Sequence, residues 1–526
     1  MTVWDHALLG VASIFSGPEA FSVLGISISI TLVMIALGFL MGITVGATPG
    51  LAGPMAMAIA LPILISIFGY SQDAFLPVMG FLIGIMKGAT LGGAVPAILF
   101  NIPGTPDAYM TTFDGYPMAQ KGQAKKALKV AHLSSVSGDT FSDIVLVLCA
   151  PFLAVLVESY IDLPEKTGLL ILSLAFIAAV IGDSVGKGLI SMGLGLMAAM
   201  VATGEDFYPR LTFGMPELAQ GFPVATAILG VLILGEVFKS IEDMVRSGIR
   251  PRDTIKSTVD GDTLTFKDVK RLAPYIARSS LIGTIIGALP GIGSTLAATL
   301  GYTYARNRYA SVKAQDDPAF GEGAPEGIAA TEAANSAVSG ANLIPVLSLG
   351  IPGNAAAVFL ILGMESIGGF NPGPSVFRLP SDGINPELVM AFGLFAAMFL
   401  TNGLNWTIGG VLMRAVGVMA RVSTEVLLPV VLLLTLTAIY VQETSMAAIW
   451  IAVGFGILGY IMRRVGMSPL PFVIAFILGG NLEQTARQAF AATGGDPFFL
   501  FTHPIAALFM LMSLAVIVFN LRKSPS

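Results

Sequence analysis

From Phe21 to Tyr70 no residue is charged. At about 1.5 Å of rise per residue, that run far exceeds the roughly 20 residues needed for one helical crossing of a bilayer. The chain must therefore turn back on itself. The stretch "GITVGATPGLAGP" (Gly42 to Pro54) supplies the residues to do so. Proline removes a backbone donor and clashes with the preceding turn. Glycine reaches conformations that other residues avoid. In hydrocarbon a freed N–H or C=O is costly, so non-helical backbone persists only inside protein or along a water-filled cavity. The break is either a surface turn or an interruption within the membrane.

Further apolar runs lie around 74–100, 141–157, 167–182, 188–203, 222–238 and 276–300, and more follow from 328 to 521. Only 12% of residues are charged and mean hydropathy is +0.81; soluble domains carry about 25% charged residues. The fold class read from this is an all-α polytopic membrane protein of about 10–12 transmembrane helices, some of them broken. Its expected surroundings are the lipid bilayer. The N-terminus lacks the basic region of a secretory signal, so none is expected. Cys149, the one cysteine, is expected to pack inside an apolar helix.

The polar segment from Ile241 to Tyr275 carries seven Lys/Arg and splits the chain nearly in half. Basic loops favour the cytoplasm. This gives three regions: a first membrane repeat (1–240), a cytoplasmic linker (241–275) and a second membrane repeat (276–526). "KGQAKKALK" (Lys121 to Lys129) has the same bias, whereas no Lys or Arg precedes Lys87, which favours an external N-terminus.

The halves resemble each other. Gly42, Gly46, Ala47, Pro49 and Gly50 match Gly283, Gly287, Ala288, Pro290 and Gly291, 241 residues on (291 − 50). Pro96 and Ile102-Pro103-Gly104 match Pro345 and Ile351-Pro352-Gly353, 249 residues on (353 − 104). Each half thus has a Pro-Gly motif followed by an Ile-Pro-Gly motif. With the first half starting outside and the second at the cytoplasmic linker, these are inverted repeats with broken helices or re-entrant hairpins, a transporter pattern.

Polar residues accompany every break. Thr44 and Thr48 flank Pro49-Gly50, and Ser294 and Thr295 follow Pro290-Gly291. Asn101 and Thr105 bracket Pro103-Gly104; Ser348 and Asn354 bracket Pro352-Gly353. Free helix N-termini favour anions, and freed carbonyls favour cations. Together these positions form the candidate substrate and ion site. Glu326 and Asn335, in "FGEGAPEGIAATEAANSAVSG" (Phe320 to Gly340), join it. Glu326 reads either as a helix cap or as a cation or proton site. Lys87 lies within an apolar run and is a functional candidate, a snorkelling lysine or half of a structural pair. Asp183 and Lys187 read as a short loop, and Asp107, Asp114 and Glu205-Asp206 as solvated acids.

No enzyme signature appears. His6, His132 and His503 have no metal-ligand spacing, and neither an HExxH motif nor a P-loop occurs. No catalytic residue, cofactor or nucleic-acid partner is expected.

The stretches "GATPGLAGPMAMAIALP", "FNIPGTPDA", "GALPGIGSTLAATLGYTYAR", "FGEGAPEGIAATEAAN" and "LIPVLSLGIPGNAAA" resemble the large membrane subunit of the tripartite tricarboxylate transporters. The resemblance covers nearly the whole chain. It departs after Asn335, where the family often has a second Asn and this chain has Ser336. It implies a multi-pass permease of the bacterial inner (cytoplasmic) membrane and a carboxylate substrate. The implied partners are a small membrane subunit and a periplasmic solute-binding protein. It also implies coupling to Na⁺ or H⁺ and an elevator-like mobile domain. A binding-protein-independent cation antiporter and an intramembrane enzyme are the alternatives.

Overall fold

The 241- and 249-residue spacings reappear in the backbone. The computed structural model describes residues 2–23, 25–181, 184–202, 210–212, 214–247, 264–290, 293–309, 317–380, 383–417 and 424–523. In it, Ala47 N donates to Ile43 O at 2.9 Å and its counterpart Ala288 N to Thr284 O at 3.0 Å. Ile102 N donates to Pro96 O at 3.3 Å and Ile351 N to Pro345 O at 3.2 Å. Left-handed residues end the helices before both Ile-Pro-Gly motifs, Asn101 (φ 55°) and Gly350 (φ 70°). The matched motifs therefore stop their helices by the same hydrogen bonds.

The described chain is almost wholly helical. Its first half holds α1 (Val3–Phe15), α2 (Ile30–Gly46), α3 (Gly53–Phe68), α4 (Gln72–Phe100), α5 (Thr111–Met118), α6 (Ala124–Tyr160), α7 (Leu163–Val180), α8 (Val185–Ala199), α9 (Val224–Leu229) and α10 (Gly235–Ser247). The second half begins with α11 (Phe266–Gly287), α12 (Gly293–Tyr309), α13 (Pro325–Ala341), α14 (Leu343–Leu349) and α15 (Ala355–Ser366). It continues with α16 (Pro386–Leu404), α17 (Gly410–Ala415), α18 (Thr424–Glu443), α19 (Met446–Arg464), α20 (Leu470–Ala492), α21 (Phe499–Thr502) and α22 (Pro504–Lys523). A small antiparallel hairpin, β1 (Glu19–Val23) and β2 (Ile26–Ser29), precedes α2.

Among the described residues, eight helical segments are long and apolar enough to cross a membrane, which makes this an all-α polytopic membrane protein. Five shorter apolar helices accompany them. Three of these, α2, α3 and α15, adjoin a break. Where Pro and Gly interrupt an apolar run, two short helices replace one long span.

The helices form two compact units, each drawing on both sequence halves. The first comprises Met1–Ala154, Pro251–Leu289 and Gly293–Leu427. Its centre is a glycine-lined pair. On α2, Gly38, Gly42 and Gly46 recur every fourth residue and meet α4. A Cβ on Gly46 would lie 2.1 Å from Ala89 O, and one on Gly42 2.5 Å from Ile85 O. Gly84, Gly88 and Gly92 of α4 return the contact onto α2. Small residues at this spacing let backbones close to van der Waals distance, the main attraction available between helices in lipid. The second half repeats it: Gly283 of α11 sits against Ala334 of α13, and Gly287 against Val338 and Ala341.

The other unit comprises Val155–Arg250, Pro290–Ile292 and Leu428–Ser526. Within it α7 packs on α8, α20 and α22, and α10 packs on α19. Arg463 ties the latter two, reaching Glu236 at 2.7 Å and the carbonyls of Val231 and Leu232. Lys187 donates to Val465 O at 2.6 Å. Asp183, Glu205 and Asp206 lie outside the described residues, as does much of the 241–275 linker.

Two expectations are corrected. Cys149 is exposed on α6, not packed. It shares an outward face with Leu148 and Phe152, both about 70% exposed, as befits a lipid-facing surface. Asp114 is not solvated but fully buried, because the loop before α13 folds over it.

Candidate functional site

The first Pro-Gly break forms where α2 ends at Gly46. Thr48 and Pro49 are buried, and Gly50 turns the chain at φ 92° before Pro54 enters α3. Thr48 donates its hydroxyl back to Thr44 O at 2.8 Å, so only its oxygen lone pairs remain to offer. The first Ile-Pro-Gly follows α4. Asn101 caps that helix in the left-handed conformation that Asn tolerates, and its side chain is exposed. Gly104 is buried against the end of α2; a Cβ there would lie 2.2 Å from Gly46 O. Only glycine allows that approach, and it joins the first two breaks. Thr105 is 6% exposed and its hydroxyl makes no hydrogen bond.

The second Pro-Gly break follows α11. Gly291 lies outside the described residues, Pro290 is partly buried, and Gly293 (φ 74°) opens α12. Ser294 is partly buried. Thr295 donates to Asp107 Oδ1 at 3.0 Å, linking this break to the segment after the first Ile-Pro-Gly. At the second Ile-Pro-Gly, Pro352 and Gly353 are buried and Asn354 caps α15, accepting from Ala357 N at 2.9 Å. α15 packs on α4 and on α3, the helix launched by the first Pro-Gly. Thus each Pro-Gly helix packs beside the segment launched by the other half's Ile-Pro-Gly.

Glu326 is held elsewhere. Its buried carboxylate pairs with Arg271 Nε, and Arg271 also reaches Asp317 at 3.0 Å and Tyr309 at 3.3 Å. Asp114, on α5, accepts from the backbone N–H groups of Gly321, Gly323 and Ala324 at 2.8–3.0 Å and from Tyr302 at 3.0 Å. It shapes the loop that delivers Pro325 and Glu326 to the start of α13.

A further polar assembly was only partly visible in the sequence. Lys87 neither snorkels nor stands alone. It is fully buried, with Asp143 at 2.8 Å, Asp139 at 3.4 Å and Asn402 at 3.0 Å. Asn402 in turn donates to Asp143 at 2.7 Å. Ser339 of α13 donates to Asp139. One turn back, Ser336 meets Ser135 at 2.9 Å, and Ser135 and Thr111 both donate to buried Glu332. Asn335 lies in this helix at 1% exposure, and neither amide atom finds a partner. Asp139, Asp143 and Asn402 had a signal: an i, i+4 acid pair leading into an apolar run, and an Asn inside another. Their partner, Lys87, lies 52 residues or more away in sequence, which periodicity cannot reveal.

The profile of the family described as "Tripartite tricarboxylate transporter TctA family" matches residues 32–474. A 52.8 kDa protein of the TAR-I ttuC' 3' region of Agrobacterium vitis is 31% identical over 498 residues, covering 94% of each chain. A protein of the TAR-II ttuC' 3' region of the same organism is 31% identical over 242 residues, 46% of this chain and 95% of that one. No solved structure matches the chain significantly.

Proposed function

The chain belongs to the tripartite tricarboxylate transporter TctA family, and we propose that it is the permease that imports an organic carboxylate, delivered by a periplasmic binding protein and driven by a cation gradient. Its home in this reading is the bacterial inner membrane, beside a small membrane subunit. The observation that carries the reading is the meeting of the breaks, Gly46 on Gly104 and Asp107 on Thr295. Irregular backbone from both halves converges there with hydroxyls and amides beside it. Helix starts at Asn354 and Gly293 offer N–H groups to carboxylates. The carbonyl ends at Ala47 and Asn101 offer oxygens to a cation. The two halves act as inverted repeats in this scheme, and a mobile domain carries the site across the membrane.

Energetics set the coupling. Moving a charge against the membrane potential costs about 2.3 kcal/mol per 100 mV, so a dianion entering a negative interior costs roughly 4.6. Two monovalent cations cancel that; voltage-driven uptake of a dicarboxylate requires three or more. The test is uptake into proteoliposomes, with and without the binding protein, over a carboxylate panel and a Na⁺ and pH series. Uptake that needs both the binding protein and a cation gradient, and that weakens in Asn101→Ala and Asn354→Ala, is expected. Carboxylate flux indifferent to every cation would refute the coupling, and unchanged flux in both variants would refute the placement of the site.

A further inference from the structure

Asp107 reads as a solvated acid in the sequence, yet its carboxylate is engaged inside the protein. Its Oδ1 accepts from the hydroxyl of Thr295 at 3.0 Å, and Ser294 faces the same carboxylate. Among the described residues no Lys, Arg or His pairs with it. Thr295 lies in the first turn of α12. The first N–H groups of a helix lack intrahelical partners, and the dipole there favours an anion. A carboxylate of the first half thus stands at a helix start of the second, the place that the transport reading gives to a substrate carboxylate.

Two independent features show that this place is built to take an acceptor from outside the helix. The matched helix start in the second Ile-Pro-Gly is capped by its own side chain, Asn354, which accepts from Ala357 N at 2.9 Å. At α12, by contrast, neither Gly293 nor the preceding Ile292 has a side chain that accepts a hydrogen bond. Its carboxylate comes from 188 residues away. The segment that supplies it also keeps a donor in reserve. Thr105, two residues before Asp107, is 6% exposed and its hydroxyl makes no hydrogen bond. Asp107 is only half-buried and Thr295 is exposed, so the link can open and water can take the released carboxylate.

We propose that Asp107 is a tethered stand-in for the substrate, holding the carboxylate seat at the start of α12 until a substrate carboxylate displaces it. The proposal rests on the reading of the chain as a carboxylate importer, and it adds a selectivity device to that reading. Exchanging one carboxylate for another on Thr295 changes no type of bond. The tethered carboxylate also has the advantage of effective concentration. A monocarboxylate brings nothing more and loses the exchange. A di- or tricarboxylate brings further groups, for which donors such as Thr105 stand ready, and wins it. Asp107 therefore selects for substrates with more than one carboxylate.

The probe is iodoacetate, a monocarboxylate that alkylates thiols, compared with neutral iodoacetamide of similar size. In the purified full-length chain, Cys149→Ser removes the one native thiol and Ser294→Cys places a thiol beside the seat. The readout is the ratio of the two alkylation rates, iodoacetate over iodoacetamide, set against the ratio for free cysteine. With Asp107 present it should lie below that of free cysteine. In Asp107→Ala it should rise at least about tenfold and exceed it, as the worth of a hydrogen bond to a charged group requires. Asp107→Asn keeps the shape of the side chain and an acceptor for Thr295. It should shift the ratio the same way, and it keeps the test open should Asp107→Ala fail to fold. Adding Thr295→Val should remove the preference for iodoacetate. Equal acceleration of both reagents would mean that Asp107 only holds the loop shut. That result overturns the proposal, as does a ratio in both variants no higher than that of free cysteine. Cation-driven, binding-protein-dependent uptake with an unmoved ratio would sink the seat but leave the transport reading intact. A ratio that moves as expected in a chain that transports no carboxylate would do the reverse.

Discussion

Replacing Lys87 by methionine keeps most of the length of the side chain and removes its charge, so it probes the worth of the buried ammonium. The parent lysine is 0% exposed and serves two carboxylates and the Asn402 amide at 2.8–3.4 Å. Breaking a buried ion pair from one side costs about 3–5 kcal/mol, since the partner charge stays buried and uncompensated. Here two partners are stranded, which places the expected loss at the upper end of that range. At 1.4 kcal/mol per decade, it lowers the folded-to-unfolded ratio by about a thousandfold. The assay is reversible unfolding in mixed micelles, followed by Trp fluorescence. Trp406 is a local reporter, because its indole donates to Thr140 on α6 at 3.2 Å, one residue from Asp139. Adding Asp143→Asn to Lys87→Met should recover part of the loss, with a coupling of about 1–3 kcal/mol. Lys126→Met removes a half-open pair with Asp268, whose side chains are 20% and 23% exposed, and should cost no more than about 1 kcal/mol. A loss below about 1 kcal/mol for Lys87→Met, the size of a surface pair, would refute the view that this lysine neutralises the carboxylates around it.

Two further outcomes test the frame around the site. Gly46→Ala places a methyl 2.1 Å from Ala89 O and should destabilise the first unit by about 1–3 kcal/mol or prevent folding, as overpacking does. By contrast, Gly193→Ala on α8 meets no atom within 4 Å and should stabilise by about 0.5–1 kcal/mol; equal effects in melting experiments would contradict the packing. Asp114→Ala strands the N–H groups of Gly321, Gly323 and Ala324, at about 1–3 kcal/mol for each buried donor left unpaired. Hydrogen exchange across residues 320–324 should accelerate sharply, and an unchanged rate would show that Asp114 does not hold that loop.

Much of this was legible in the sequence because it is local. Helix-ending residues carry their meaning with them: proline lacks its donor wherever it sits, and the left-handed turns at Gly50 and Gly350 need what glycine provides. The matched motifs could therefore be aligned across 241 and 249 residues, and they fold alike. What was hidden is what depends on partners. Asp114 looked like a loop acid because nothing near it in sequence shows that residues 321–324, some 200 positions on, will fold over it. Cys149 looked like a core residue because an apolar helix facing lipid and one facing protein share a composition. The acid pair at Asp139 and Asp143 straddles the start of the apolar run that begins near 141, so hydropathy alone starts the span too late. In the structure, α6 begins at Ala124 and carries both acids inside.

The spacing of the matched motifs also sets two unlike side chains against one polar face. At the 249-residue spacing, Lys87 on α4 is the counterpart of Ser336 on α13 (336 − 87). Both side chains turn toward α6: Lys87 reaches Asp139 and Asp143, and Ser336 reaches Ser135. Positions 249 residues apart thus both meet α6, yet one contributes an ammonium and the other a hydroxyl. Placing Lys at both positions would add a second positive charge beside Glu332 and Asp139. Ser336→Lys should nevertheless destabilise the chain by about 1–3 kcal/mol or prevent folding, because Ser336 is fully buried against Ser135 and the longer side chain overpacks the α6–α13 seam. A Ser336→Lys chain that unfolds no more easily than the parent would mean that the charge it brings to Glu332 outweighs the cost of fitting it.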